Sequence, residues 1–204
     1  MLVGLAGWGA GQLLQHTVPL GEDVGANPTA RALLEDPSAP SHEVRRPTLT
    51  MVVFTDYQCA ACKRANPAME RAVASDGHVR IVYKDWPIFG PLSEQAARVA
   101  LASDRQGLYP AVHNRLMTDR RPLGETVLRE AVERAGGDWG RIQRDLRDHE
   151  AAIRRQLDLN RGHAFSLGIQ GTPAYLIGPI LVVGGLDEAA FGRAFAQARN
   201  AARS

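Results

Sequence analysis

Cysteine and lysine are nearly absent from this 204-residue chain, which has two of each: Cys59, Cys62, Lys63 and Lys84. Two cysteines exclude a small fold scaffolded by disulfides, and a chain of this length has no need of one. They also cannot complete a tetrahedral zinc site. The six histidines (His16, His42, His78, His113, His149 and His163) contain no H-x3–5-H pair, so no metal is expected. Charge of one sign is missing too. The 24 basic residues, 22 of them arginine, stand against 22 acids, for a net charge of +2. They are mixed along the chain rather than striped, so no nucleic-acid partner is expected. No repeat or low-complexity tract is present. A composition 45% hydrophobic and 23% charged excludes disorder and collagen-like fibres, and the length fits one domain or one carrying an insertion.

The two cysteines that are there stand three apart, as Cys59-Ala60-Ala61-Cys62. With metal and scaffold set aside, the pair is either redox chemistry or coincidence. The N-terminus speaks to compartment. No Asp, Glu, Lys or Arg occurs before Glu22, and residues 2–14 are mostly apolar. That stretch is too short for a spanning helix and fits a signal-peptide core better, although a positive n-region is missing. Residues 1–21 therefore read as a signal peptide or membrane anchor, with a glycine-rich disordered start as the alternative. Export and an extracytoplasmic, periplasmic location are the better reading.

Residues 22–48, with Pro28, Pro37, Pro40 and Pro47, form a lead-in with a short helix over 29–35. Leu49 to Phe54 runs apolar without alternation, as a strand buried on both faces does. A helix follows the cysteines to about Ser75, and His78 to Tyr83 is a second strand, giving a right-handed βαβ unit. From 91 to 165 the signals are helical. Ser93 is placed to cap one helix; others start near Glu125 and at Asp138, and a last one carries Ile153, Leu157 and Ala164. Ala174–Ile177 and Ile180–Val183 read as a hairpin about Gly178-Pro179, and a helix from Asp187 closes the chain. The expected class is α/β, βαβ…ββα, with residues 49–90 and 166–204 forming one domain and 91–165 an inserted helical domain.

A redox cysteine reacts as the thiolate and needs something to lower its pKa. Cys59 falls at a strand-to-helix junction, facing unpaired backbone N–H groups and the positive end of the helix. A helix end alone brings a thiol from about 8.5 to roughly 7–8. Cys62, one turn on, reaches back and should be the less exposed of the two. The expected roles are Cys59 as nucleophile and Cys62 as resolving thiol. Pro67 lies within the helix and removes one N–H. Gly171-Thr172-Pro173 ends the helical block, and a cis bond there leaves the Thr172 backbone free to pair with an extended peptide.

Three blocks, Phe54-Thr55-Asp56-Tyr57-Gln58-Cys59-Ala60-Ala61-Cys62, Tyr83-Lys84-Asp85-Trp86-Pro87-Ile88-Phe89-Gly90 and Leu167-Gly168-Ile169-Gln170-Gly171-Thr172-Pro173-Ala174-Tyr175, occur in order and over roughly residues 29–200. The chain thereby resembles DsbA-type thiol–disulfide oxidoreductases, and most closely the BdbD-like branch. The resemblance implies a thioredoxin fold and a redox-active Cys59–Cys62 disulfide with no other cofactor. It also implies cis-Pro173 beside that pair, export, and a monomeric chain. Its partners would be unfolded or partly folded exported proteins and a membrane redox partner. Isomerase or reductase activity and a non-catalytic peptide-binding chaperone module remain as alternatives. Thr172 before Pro173 resembles isomerase relatives.

The chain departs from that pattern between the cysteines, where relatives commonly carry Pro and often His or Tyr but Ala60 and Ala61 stand here. It also has Val53 six residues before Cys59, where many relatives have a buried acid. Lys84 reads as a solvated lysine. Asp56 reads either as a cap of the active-site helix or as a solvated strand end. Trp86 and Phe89 suit either a peptide groove or the core.

Overall fold

The computed structural model describes residues 19–202, so most of the signal-peptide or anchor segment expected at 1–21 lies outside the described residues. The uninterrupted apolar runs make the two central strands, β3 (Leu49–Thr55) and β4 (Val79–Asp85), buried along both faces. They pair in parallel, with Val53 opposite Tyr83 and Thr55 opposite Asp85. The crossover between them is helix α2 (Ala60–Asp76), which stops where Gly77 adopts φ 72°, a conformation that costs glycine nothing. The helix runs through Pro67, whose missing N–H leaves the Lys63 carbonyl without its usual partner.

The hairpin forms as expected, from β5 (Ala174–Ile177) and β6 (Ile180–Val183), with β5 antiparallel to β3. The lead-in supplies more than a lead-in. Its two-residue strands β1 (Glu22–Asp23) and β2 (Ser41–His42) pair with β6 and β4 at the two edges of the sheet, giving the order β1-β6-β5-β3-β4-β2. Between them lies helix α1 (Pro28–Leu34), opened by Asn27, whose side chain accepts from Thr29 N.

Five helices separate β4 from β5: α3 (Pro91–Asp104), α4 (Tyr109–Thr118), α5 (Glu125–Arg134), α6 (Trp139–Asp148) and α7 (Glu150–Ser166). Asp138 caps α6 as its sequence position indicates. Ser93 does not cap α3; Gly90 opens that helix and the Ser93 hydroxyl is spent elsewhere. Helix α4 gives no capping signal in the sequence, because Leu108 precedes it without a side-chain bond. Helix α8 (Glu188–Ala201), capped by Asp187, packs beside α2 and is tied to its end by Arg199, which donates to both Asp76 oxygens at 2.8 and 2.7 Å.

Strand alternation divides the core. Met51, Val53, Ile81, Tyr83, Tyr175 and Ile177 belong to the layer shared with α2, α8 and the inserted helices. Val52, Phe54, Val82 and Leu176 pack on the other side with Ala30 and Leu33 of α1 and with Ala164 of α7. Lys84 falls in this second layer and corrects the expectation of a solvated lysine: it is 0% exposed, and its Nζ donates to Asp36 Oδ2 at 2.5 Å. Burial pulls the Lys84 pKa down and the Asp36 carboxylate pulls it up, while Asp36 itself is held at about 2. This partly buried pair fastens the lead-in to β4.

Candidate active site

The loop after β3 delivers Cys59 to the start of α2, where it is the N-cap. Its Sγ accepts a hydrogen bond from Cys62 N at 3.3 Å, which answers one of the unpaired donors of the first turn. Asp56 therefore does not cap the helix, nor does it solvate a strand end. It is buried, and its Oδ1 accepts from Gln58 N at 2.6 Å and Ser93 Oγ at 2.7 Å. Its Oδ2 accepts from Ile88 N at 2.6 Å and Phe89 N at 3.2 Å. One carboxylate thus binds the loop before Cys59 to the Trp-Pro-Ile-Phe turn and to α3. Charge-assisted bonds of this kind are the stronger class. Gln58 adds to the join through Nε2, which donates to Phe89 O and Ser93 Oγ, each at 3.1 Å.

From the other side comes the loop before β5, with a cis peptide bond between Thr172 and Pro173. The Cys59 thiol donates to Thr172 O at 3.2 Å. That loop covers Cys59, and both cysteines are free and 3% exposed. At equal surface exposure, the Cys62 sulfur lies the deeper of the two.

The electrostatics separate the two sulfurs. The Cys62 thiol, donating to Cys59, is the largest influence drawing the Cys59 pKa down to about 5. Burial opposes it, and the Thr172 hydroxyl and the amides of Cys62 and Ala61 assist. Cys62 moves the other way, raised well above an ordinary thiol by that same interaction and by burial. The helix end alone accounts for a value of roughly 7–8, so the further fall belongs to the partner thiol and Thr172. Ala60 and Ala61 contribute no side-chain donor, only the Ala61 amide. The Thr172 Oγ1 is buried without a hydrogen-bond partner of its own among the described residues. A thiolate absorbance titration should give a midpoint near 5, and Thr172→Val should move it upward, since the hydroxyl that helps hold the negative charge is removed. An unchanged midpoint in Thr172→Val would remove the hydroxyl from this account.

Sequence reasoning did not single out a second buried group beside the site. Asp85, opposite Thr55 at the end of β4, is fully buried and neither of its carboxyl oxygens has a partner at normal hydrogen-bond length. Burial raises its pKa to about 7 against the pull of the Tyr109 and Tyr57 phenols, which face it. Tyr57 Oη lies 3.0 Å from His113 Nδ1 and 3.4 Å from Tyr109 Oη, and Tyr109 stacks on His113 with ring centroids 5.8 Å apart. Burial lowers His113 to about 3, so the imidazole is neutral. The cluster joins β4 to α4, while Asn160 Nδ2 of α7 donates to Asp85 O at 2.9 Å.

Of the aromatic candidates, Trp86 is buried, edge-to-face with Phe165 at 5.8 Å, whereas Ile88, Phe89, Leu92 and Phe165 expose large apolar surface. Pro67 lies further along α2. Among the described residues no three His, Cys, Asp or Glu side chains group as metal ligands, and no helix is long and apolar enough to cross a membrane.

The model of the DSBA-like thioredoxin domain family matches residues 50–196. Among solved structures, a thioredoxin-like oxidoreductase from Silicibacter pomeroyi DSS-3 is 34% identical with a TM-score of 0.77, covering 83% of this chain and 96% of that one. A periplasmic thioredoxin-like protein from Salmonella enterica serovar Typhimurium is 28% identical, with a TM-score of 0.73 over 85% of this chain and 97% of that one. The catalytic domain of Proteus mirabilis ScsC is 26% identical, with a TM-score of 0.75 over 86% and 97%. Among curated sequences, the Na(+)/H(+) antiporter NhaA 3 of Salinispora tropica is 28% identical over 135 residues, 65% of this chain. The chain spans about a fifth (20%) of the length of that antiporter. The family match spans more than half of the chain, and the chain belongs to the DSBA-like thioredoxin domain family.

Proposed function

We propose that the protein is an exported thiol–disulfide oxidoreductase that passes a disulfide to unfolded or partly folded extracytoplasmic proteins through Cys59 and Cys62. The observation that carries this reading is the opposed displacement of the two thiols, Cys59 down to about 5 and Cys62 upward. In the oxidised protein a substrate thiolate attacks Cys59 Sγ, the Cys59–Cys62 bond breaks, and the electron pair leaves on Cys62. Cys62, whose thiol form is favoured, takes up a proton. A second substrate thiolate then attacks the substrate sulfur of the mixed disulfide, and Cys59 leaves as a stabilised thiolate. The substrate loses two electrons and the protein gains them. A membrane redox partner removes them again in this scheme, and no cofactor beyond the cysteine pair takes part. In this reading Thr172, preceding cis-Pro173, offers its backbone to the extended substrate.

A thiolate near pKa 5 rather than about 7 stabilises the reduced form at neutral pH by the equivalent of about 50 mV. Against a thioredoxin-like pair near −270 mV, that places Cys59–Cys62 at roughly −220 mV or above. Equilibration with glutathione buffers measures it. A value near −270 mV or below would make the protein a reductant and overturn the donor role, and cysteines refractory to oxidation would favour a peptide-binding module.

A further inference from the structure

We infer that a cleft on the helical side of Cys59 docks an acidic stretch of the polypeptide whose cysteines are being exchanged. The inference rests on the exchange reaction proposed above and names its substrate class. The cleft, of about 430 Å³, starts at Ala60, the residue after the nucleophile, and runs along α2 to Pro67. Ala60, Pro67 and Met117 give it an apolar floor. Lys63 and Arg64 stand on the α2 wall and Arg120 on the opposite wall, and among the described residues no carboxylate lines it. Asp119, next in the chain to Arg120, does not line the cleft, and both its oxygens are engaged by Arg121, one of them by Nη2 at 2.6 Å. Lys63 Nζ donates to Asp119 O at 2.6 Å, which ties α2 to the end of α4 and fixes the two walls.

Length decides the kind of occupant. From Ala60 to Pro67 a helix rises about 10 Å, which an extended chain covers in about three residues. A segment of that length leading away from the cysteine under attack meets cations on both sides and methylene or ring surface below. Docking adds no chemical step; it raises the encounter rate of substrates carrying Asp or Glu beside the cysteine.

The test uses the oxidised protein and reduced two-cysteine peptides whose flanking residues are Asp/Glu, Gln or Lys, with dithiothreitol as an uncharged small dithiol. The acidic peptide should be oxidised about tenfold faster than the Gln peptide and the Lys peptide slower still. In the combined variant Arg64→Gln, Arg120→Gln, which leaves the Lys63 tie in place, and at about 1 M salt, that ratio should fall to about two or less. The dithiothreitol rate should stay within about twofold, since no removed group touches the sulfurs. An acidic-to-Gln ratio unaltered in the variant, or absent in the parent while dithiothreitol reacts normally, overturns the docking site. Glutathione losing as much rate as the acidic peptide would assign the cleft to small anionic thiols and overturn the polypeptide. A parent unreactive toward dithiothreitol would instead defeat the exchange reaction itself.

Discussion

Cys62→Ser is expected to accumulate a mixed disulfide with a substrate protein, and Cys59→Ser to accumulate about a tenth as much or less. The expectation follows from the two thiol environments. Serine at position 62 keeps a hydroxyl donor where the Cys62 thiol stood, and at about pH 6 a thiol of pKa near 5 is about 90% ionised, whereas an unperturbed thiol is about 0.3% ionised. Cys62 is displaced further in the protonated direction, so its thiolate is rarer still. A thiolate of low pKa is intrinsically a weaker nucleophile, which returns about thirtyfold of that advantage and leaves roughly tenfold. In Cys62→Ser nothing remains one turn along α2 to release the adduct, so it persists. Non-reducing gels after incubation with an oxidised substrate protein at about pH 6 provide the measurement. Equal trapping by the two variants, or more by Cys59→Ser, would reverse the assignment of nucleophile and resolving thiol.

The second large effect concerns Asp85 and the pH dependence of stability. Its folded pKa of about 7 lies above the 3.8 of an unperturbed carboxyl, so the folded state holds the proton more tightly. The stability this confers is complete below about pH 4 and is lost as pH rises toward 7. His113 has the opposite sign. Its folded value of about 3 lies below 6.5, so its contribution is complete above about pH 6.5 and is lost as pH falls toward 3. Each amounts to roughly 3–5 kcal/mol at full displacement, and over the shared window they nearly cancel. Asp85→Asn keeps a neutral group of the same shape and removes one of the two slopes. Denaturant unfolding of the oxidised variant should therefore become steeply pH-dependent, gaining about 3 kcal/mol between about pH 4 and 7, and the variant should exceed the parent at about pH 8. Using the oxidised protein keeps the Cys59 thiolate out of the comparison. A variant with the parent's shallow profile, displaced downward at every pH, would show that Asp85 does not hold a proton in the fold.

How far the sequence could be read depended on whether a feature was local. Continuous apolar runs marked β3, β4 and the hairpin, because burial on both faces leaves no polar alternation. Asp138 and Asp187 marked helix starts through their own side chains. The spacing of Cys59 and Cys62 on a junction marked the thiol pair. Ser93 misled, because a hydroxyl near a helix start looks the same whether it caps that helix or bonds a carboxylate from another segment; here it goes to Asp56, 37 residues away. Lys84 misled for a related reason, since its neutralising partner Asp36 lies 48 residues earlier in a segment read as a lead-in. Helix α4 and the Tyr57, Tyr109, His113 and Asp85 cluster were not legible, because their bonds join residues more than 50 apart or depend on depth alone. The depression of Cys59 beyond the helix-end value was missed because it comes from the other thiol and from a loop 113 residues downstream.

The two-residue edge strands bear on a hazard that the function proposed above would bring with it. An open sheet edge is a template for another strand, and unfolded clients are rich in strands looking for one. Here each edge is closed by a segment too short to be extended: β1 covers β6 at Ile180 and Leu181, and β2 covers β4 at Ile81 and Val82. Short backbone bonds continue the seal on both sides, from Val24 N to Pro179 O at 2.8 Å and from Tyr83 N to Pro40 O at 2.9 Å. On the function proposed above, a substrate bound at the Thr172–Pro173 loop would meet a sheet with little edge along which to grow, so that capture and co-aggregation would be kept apart by two dipeptides of the segment preceding the first long strand.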